Sequence, residues 1–164
     1  MAALTKALTL VLVAGALLLQ GAGTGWTAGP PPVVPKPADK CPVCGMFVAK
    51  YPDFLAQVIY TDGTYALFDG AKDLFKYLFA LDTYAAGRNR ADIASVYVTD
   101  YYSLSPVDGR TAWYVVGSDV FGPMGRELIP FAREAEAREF LQDHAGTGLL
   151  RFDTVTPAII GTLD

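Results

Sequence analysis

The sulfur-containing side chains of this sequence are concentrated in two short segments rich in glycine and proline. The first segment reads Cys-Pro-Val-Cys-Gly-Met and contains Cys41, Cys44 and Met46. The second reads Gly-Pro-Met-Gly and contains Met124, while the third methionine of the chain is the initiator. Core methionines usually fill gaps on the apolar faces of regular elements, and neither Met46 nor Met124 belongs to such a face. The two segments are therefore candidates for a chemical role.

Thiolate and thioether sulfur together form a soft set of metal ligands. Such a set selects Cu(I), whereas zinc binds cysteine and histidine readily but thioether poorly. Gly45 allows the backbone to turn so that the side chains on either side of it, Cys44 and Met46, are directed at one point. The glycines and the proline around Met124 favour a second turn that presents this side chain. The sulfur pattern predicts a Cu(I) site, on the inference that the two turns converge.

Other interpretations of these residues are open at the level of sequence. Cys41 and Cys44 are compatible with a disulfide that staples the start of the fold, or with a redox-active CxxC pair. They are also compatible with half of a zinc site, although the sequence lacks the second CxxC of a four-cysteine site. Met124 is compatible with an ordinary buried turn residue. His144 closes a predicted helix, where a cation is favourable, so we interpret it as a cap in preference to a metal-related role.

Composition and charge exclude several classes of function. The 164 residues contain 13 Lys and Arg against 17 Asp and Glu, and this acidic balance argues against a nucleic-acid-binding protein. The single histidine excludes sites built from two or three imidazoles. Hydrolase and phosphate-binding motifs of the GxSxG, HExxH and glycine-rich-loop types do not occur. We interpret Asp62, Asp69, Asp73 and Asp82 as ordinary residues of turns and helix starts.

The N-terminal residues 1–28 have the layout of a secretory signal peptide. Lys6 precedes an almost wholly apolar run over residues 7–19, and small residues follow. The run is shorter than the roughly 20 residues that span a bilayer; an uncleaved signal anchor is the alternative. No cysteine follows the run closely enough for lipid attachment. We expect an exported protein, which in a bacterium would be periplasmic.

A proline-rich segment follows at residues 29–40. It reads Gly-Pro-Pro-Pro-Val-Val-Pro-Lys-Pro-Ala-Asp-Lys. Proline-rich chains adopt extended, semi-rigid conformations. We therefore expect a linker that is not a packed element, with the folded part starting at Cys41.

The remaining sequence contains one pattern of elements twice. Each copy has two strands, a helix with one apolar face, and a third strand. The copies align with an offset of 63 residues, which matches Phe68 with Phe131 and Leu74 with Ala137. We predict an α+β fold of two ββαβ units, 41–104 and 105–164, packed together because each is small. The predicted elements are strands 54–60, 64–68 and 95–101 with a helix from Asp69, then strands 111–117, 127–131 and 149–155 with helix 134–144.

The sequence resembles the NosL family over residues 41–155. The resemblance is carried, in order, by CPVCGMF, FLAQVIYTDGTYALFDG, VVGSDVFGPMGRELIPF and FLQDHAGTGLLRFD. It implies a periplasmic Cu(I) chaperone with two ββαβ units, which supplies copper to nitrous oxide reductase together with an ABC-type membrane complex. It also implies Cys44, Met46 and Met124 as ligands. Cys41 is an additional cysteine, either a copper ligand or a disulfide partner of Cys44.

This chain departs from the family pattern at two points. Many members carry a lipidated cysteine after the signal, and here none is present. The family often has Asp-Asp after the second strand, where this chain has Asp69-Gly70. We predict a non-enzymatic Cu(I) metallochaperone that uses Cys44, Met46, Met124 and Cys41. The rival hypotheses are a thiol–disulfide oxidoreductase or redox sensor using Cys41 and Cys44, and a structural adaptor in which the two cysteines only staple the fold.

Overall fold

The computed structural model describes residues 29–164. The predicted signal peptide or anchor, residues 1–28, lies outside this range. None of the helices within residues 29–164 has the length and hydrophobicity needed to cross a membrane. The fold is α+β and contains the ββαβ pattern twice, as predicted.

The first unit is built on an antiparallel sheet with the strand order β2-β1-β3-β4. Strands β1 and β2 are joined by the tight turn at residues 61–64, whose Asp-Gly sequence favours such a connection. A short helix follows the main helix of the unit directly. The elements are β1 (Ala56–Tyr60), β2 (Tyr65–Phe68), α1 (Ala71–Phe79), α2 (Leu81–Tyr84), β3 (Ile93–Thr99) and β4 (Pro106–Asp108).

The second unit repeats the arrangement with a three-stranded sheet in the order β8-β5-β9. The long turn predicted between its first two strands is a two-stranded hairpin of its own. A short C-terminal helix follows the last strand. The elements are β5 (Trp113–Val116), β6 (Phe121–Gly122), β7 (Gly125–Arg126), β8 (Ile129–Phe131), α3 (Glu134–Asp143), β9 (Gly148–Arg151) and α4 (Pro157–Gly161).

The predicted elements are present, but some of their ends are displaced. The strand predicted at 54–60 starts at Ala56 because Pro52–Phe54 forms a 3-10 turn, and the strand predicted at 149–155 ends at Arg151 because Phe152–Thr154 forms another. Helix α4 was not predicted from the sequence. Its start has recognisable signals, since Thr156 caps it by accepting a hydrogen bond from the Ile159 N–H and proline occupies its first position.

The two units share one hydrophobic core. It lies between the first sheet and α1 and includes Tyr114 and Leu128 of the second unit and Ile160 and Leu163 near the C-terminus. A smaller cluster fills the space between the second sheet and α3. Strand β4 extends the first sheet beyond residue 104, and the division of the folded part into 41–104 and 105–164 stays a prediction.

The proline-rich segment 29–40 contains no helix or strand, but residues 30–33 bind to the first sheet, so the expectation of an unpacked linker is wrong for these residues. The side-chain amide of Gln57 accepts from the Val33 N–H at 2.8 Å and donates to the Val33 carbonyl at 3.1 Å. The Tyr97 hydroxyl donates to the Pro30 carbonyl at 2.9 Å. Gln57 and Tyr97 are cross-strand partners on the face opposite the core side chains, because successive residues of a strand alternate.

Candidate metal site

The loop at residues 41–46 is closed by its own backbone. The Cys41 N–H donates to the Met46 carbonyl and the Gly45 N–H donates to the Cys41 carbonyl, both at 2.9 Å. Gly45 has φ +80°, in the left-handed region that side chains rarely adopt. The turn that the sequence predicted at Gly45 is therefore present, and it directs both cysteine side chains towards the start of α1.

Two aspartates accept hydrogen bonds from the cysteine thiols. The Cys41 thiol donates to Asp73 Oδ2 at 3.3 Å, and the Cys44 thiol donates to Asp69 Oδ1 at 3.1 Å. One ligand atom of each of these four residues lies within 4.8 Å of the others. The residues come from the loop, from the β2–α1 junction and from the first turn of α1. The cluster has the size and composition of a metal-binding site.

Asp69 and Asp73 are not the ordinary turn and helix-start residues that the sequence suggested. Only 1% of Asp69 and 3% of Asp73 is exposed, and aspartate is rarely buried unless it is paired. Oδ2 of Asp69 is buried without a hydrogen-bond partner. Their spacing of four residues at a helix start places both on one face and was a usable signal. The burial depends on the cysteine loop folding over that face, which local spacing does not reveal.

Burial keeps both thiols protonated in the metal-free protein. It raises the pKa of Cys41 to about 12. It also raises the pKa of Cys44, to which the hydrogen bond with Asp69 contributes. A thiolate here would stand beside two carboxylates in a desolvated place, which is unfavourable without a cation. The site therefore exchanges thiol protons for a metal ion when it binds one.

Met124 reaches the same region from the second unit. It lies between β6 and β7 with 44% of its surface exposed. Together with Cys44 and Asp73 it lines an open cleft of about 430 Å³. Cys44 and Met124 thus line the same cleft, and their joint ligation of one metal ion stays a prediction. The residues lining this cleft, within the described range, do not include Met46, which is half-buried on the cysteine loop.

His144 lies at the end of α3, as a cap. The backbone N–H of His144 donates to the Phe140 carbonyl at 2.9 Å. Its ring stacks on the Phe140 ring with centroids 4.2 Å apart, and its Nδ1 lies 2.9 Å from Asp119 Oδ1. Within residues 29–164, His144 is not part of the cysteine–aspartate cluster.

Comparison with known proteins identifies the family. The NosL family model matches residues 32–160. The copper-binding lipoprotein NosL of Stutzerimonas stutzeri is 31% identical over 137 residues, which are 79% of this chain and 68% of that protein. The crystal structure of the copper chaperone NosL from Shewanella denitrificans superposes with a TM-score of 0.63 at 30% identity, covering 79% of this chain and 99% of that structure. The chain belongs to the NosL family.

Proposed function

We propose that this protein is a Cu(I) metallochaperone that supplies copper for maturation of the copper centre of nitrous oxide reductase. The observation that carries the proposal is a cluster of two cysteines and two aspartates, of which Cys44 and Asp73 line one cleft together with the exposed Met124. The match to relatives named for copper binding and copper delivery supports it. Copper is the cargo of this site, so the residues must both hold it and release it.

The donor set favours copper in its reduced state. Cys44, Met124, Met46 and Cys41 offer soft sulfur, which Cu(I) prefers. Met46 is half-buried on the loop and is not among the residues that line the cleft, so we propose that its side chain turns towards the cleft when copper binds. Asp69 and Asp73 accept hydrogen bonds from the thiols and add negative charge beside the cation. We assign the sulfur atoms as ligands and the carboxylates as groups that stabilise the charged site.

The exposure of the site suits transfer rather than permanent storage. Cys44 is half-buried and Met124 is exposed, whereas Cys41 is buried. A receiving protein can approach the cleft from the Met124 side and replace the copper ligands one at a time. No bond of a substrate is made or broken in such an exchange, so the proposed role is not enzymatic.

The location and partners follow from the same proposal. The apolar N-terminal run is typical of an exported protein, and the relative from Stutzerimonas stutzeri is a lipoprotein. We assign the protein to the periplasm, with membrane association through residues 1–28 if they are not cleaved. Its partners in this proposal are nitrous oxide reductase and its ABC-type maturation complex.

The rival role as a thiol–disulfide oxidoreductase is not supported. Exchange cysteines are activated by a lowered pKa, whereas burial raises the pKa of both Cys41 and Cys44. The cysteines are free thiols that donate to carboxylates rather than to a basic group.

The proposal is tested by anaerobic titration of the reduced full chain with Cu(I) against a competing chelator. We expect one equivalent to bind, and Met124→Leu to weaken binding at least about tenfold, which is about 1.4 kcal/mol. Because Met124 is exposed, its replacement should leave the thermal unfolding midpoint unchanged. Phe121→Leu, at another exposed position of the same hairpin, is the matched control and should bind like the wild type.

Two results would reject parts of this proposal. Wild-type protein that binds no Cu(I) with both thiols reduced would remove the copper role altogether. Wild-type binding with an unchanged affinity in Met124→Leu would keep the copper role but exclude a site that spans the two units.

A further inference from the structure

Lys72 is a buried cation on a helix whose other lysine is far more accessible. Only 4% of the Lys72 side chain is exposed, against 25% for Lys76. The Lys72 ammonium donates to the Met124 carbonyl at 2.8 Å and to the Leu163 carbonyl at 3.1 Å. Its distance to Asp164 Oδ1 is 3.9 Å. The ammonium thus joins α1 to the tip of the β6–β7 hairpin and to the C-terminal segment.

The backbone of Lys72 is tied to the base of the same hairpin. Oε1 of the buried Glu127 accepts from the Lys72 N–H at 2.5 Å and from the Leu128 N–H at 2.8 Å. The approach requires glycine at position 70, because a β-carbon there would collide with Oε2 of Glu127. One residue of α1 therefore holds both the tip and the base of the hairpin that carries Met124.

The energetic cost of this arrangement indicates that it serves a purpose. Burying an ammonium group is unfavourable unless its hydrogen-bonding capacity is satisfied. A protonated lysine has no lone pair for a metal, and its charge repels a cation entering the adjacent cleft. A direct contribution to copper ligation is thereby excluded. What the ammonium does provide is a fixed position for the Met124 backbone relative to Asp73, the next residue of α1.

We infer that Lys72 is a positioning residue that holds the Met124 hairpin at the cleft. The Met124 thioether is thereby kept where it can complete the Cu(I) site with Cys44. The inference rests on the proposed function. It also makes a statement about the metal-free protein, namely that the hairpin at residues 121–126 is held in place by the Lys72 side chain.

A double-mutant cycle on the full chain tests how Lys72 acts. We expect Lys72→Leu, which removes the ammonium without adding a sulfur donor to the cleft lining, to weaken Cu(I) binding about tenfold. In a Met124→Leu background the same change should alter the affinity less than about twofold, because the thioether that Lys72 positions is already absent. Lys76→Leu is the matched control and should bind like the wild type. It removes the other ammonium that lines the cleft, which pairs with the Asp164 side chain and not with the hairpin.

Hydrogen exchange of the metal-free protein tests the same inference without copper. Lys72→Leu should speed the exchange of the backbone amides of the hairpin at residues 121–126, whose strands pair Phe121 with Arg126 and Gly122 with Gly125, and leave the amides of β1 unchanged. This readout separates the two proposals. If the wild type binds no Cu(I), the proposed function fails, whereas unchanged exchange of the hairpin amides in Lys72→Leu overturns the positioning role.

Three further results would overturn the inference. The first is a loss of Cu(I) affinity from Lys72→Leu that is equally large in the Met124→Leu background, which would show that Lys72 acts independently of Met124. The second is unchanged Cu(I) affinity in Lys72→Leu. The third is that neither Lys72→Leu nor Lys72→Gln folds, because Lys72 would then be required for the whole fold. If Lys72→Leu alone does not fold, Lys72→Gln, whose side chain is shorter than that of lysine, replaces it in both measurements.

Discussion

The two ββαβ units have the same strand order, but their helices differ in burial. Seven of the nine residues of α1 are buried, whereas Ala137 and Phe140 are the buried residues among the ten of α3. Helix α1 packs against its own sheet on one side and against α4 on the other, and α3 contacts the strands of its own sheet. Helix α1 is therefore more completely enclosed by the rest of the protein than α3.

The strand–helix junctions of the two units show what this difference does. The β2–α1 junction has buried polar residues, and the equivalent positions of the β8–α3 junction, 63 residues later, are not buried. Glu136 pairs there with Arg133 at the surface, where an ion pair contributes little. Polar residues at this junction thus form a buried cluster only in the first unit, where the cysteine loop and the second unit cover them. The equivalent pairs are Asp69 and Ala132, Lys72 and Ala135, and Asp73 and Glu136.

The connections between the first two strands also differ. The first unit uses the tight turn at residues 61–64, whereas the second inserts the β6–β7 hairpin within residues 117–128. Met124 lies on that hairpin and has no counterpart in the first unit. The repeat therefore supplies the scaffold, and departures from the repeat supply the proposed ligands.

The largest effect is expected from replacing Cys44, the proposed ligand of the first unit that lines the cleft. Cys44→Ser should weaken Cu(I) binding at least about a hundredfold, or about 2.8 kcal/mol, because a hydroxyl is a poor ligand for a soft cation. The serine hydroxyl can still donate to Asp69, so the thermal unfolding midpoint should change little. Chelator competition and thermal unfolding measure the two quantities. A loss below about threefold would contradict a site centred on the first unit.

The pH dependence of binding distinguishes the contributions of the two units. Since the pKa of Cys41 is about 12 and that of Cys44 is also raised, each thiol that becomes a ligand near neutral pH releases one proton. Affinity should then rise with pH, about tenfold per pH unit for one thiolate and about a hundredfold for two. Chelator competition between pH 6 and pH 8 measures the slope.

The thioether of Met124 does not titrate, so Met124→Leu should keep the wild-type slope. Cys41→Ser should lower the slope by about one if Cys41 is a ligand. A wild-type affinity that does not depend on pH would contradict ligation by either thiol.

A smaller effect is expected at the paired junction residues. Asp73→Asn removes a negative charge beside the site and should weaken Cu(I) binding about tenfold, the lower end of the range for groups that support metal ligands. Glu136→Gln makes the same kind of change at the equivalent position of the second unit and should leave the affinity unchanged. Equal losses in the two variants, measured by the same competition, would indicate a general charge effect and remove the contrast between the junctions.

The sequence was sufficient to predict the repeat and the sulfur segments because both depend on local information. Apolar side chains recur with the periods of strands and helices, and Phe68 and Phe131 occupy equivalent buried strand positions as the offset of 63 residues predicted. The left-handed conformation of Gly45 likewise follows from the residue type. Such features are decided within a few neighbouring residues, so they can be read without knowing the fold.

Only the tertiary structure decided which polar residues are buried beside the sulfur atoms. Asp69, Lys72 and Asp73 occupy positions where exposed polar residues are ordinary, and they are buried because segments distant in sequence fold over α1. Glu127 lies 55 residues from its hydrogen-bond partner Lys72, and Gln57 lies 24 residues from Val33. The pKa of a group depends on burial and on neighbours brought together in space, so its chemistry cannot be read from its place in the chain.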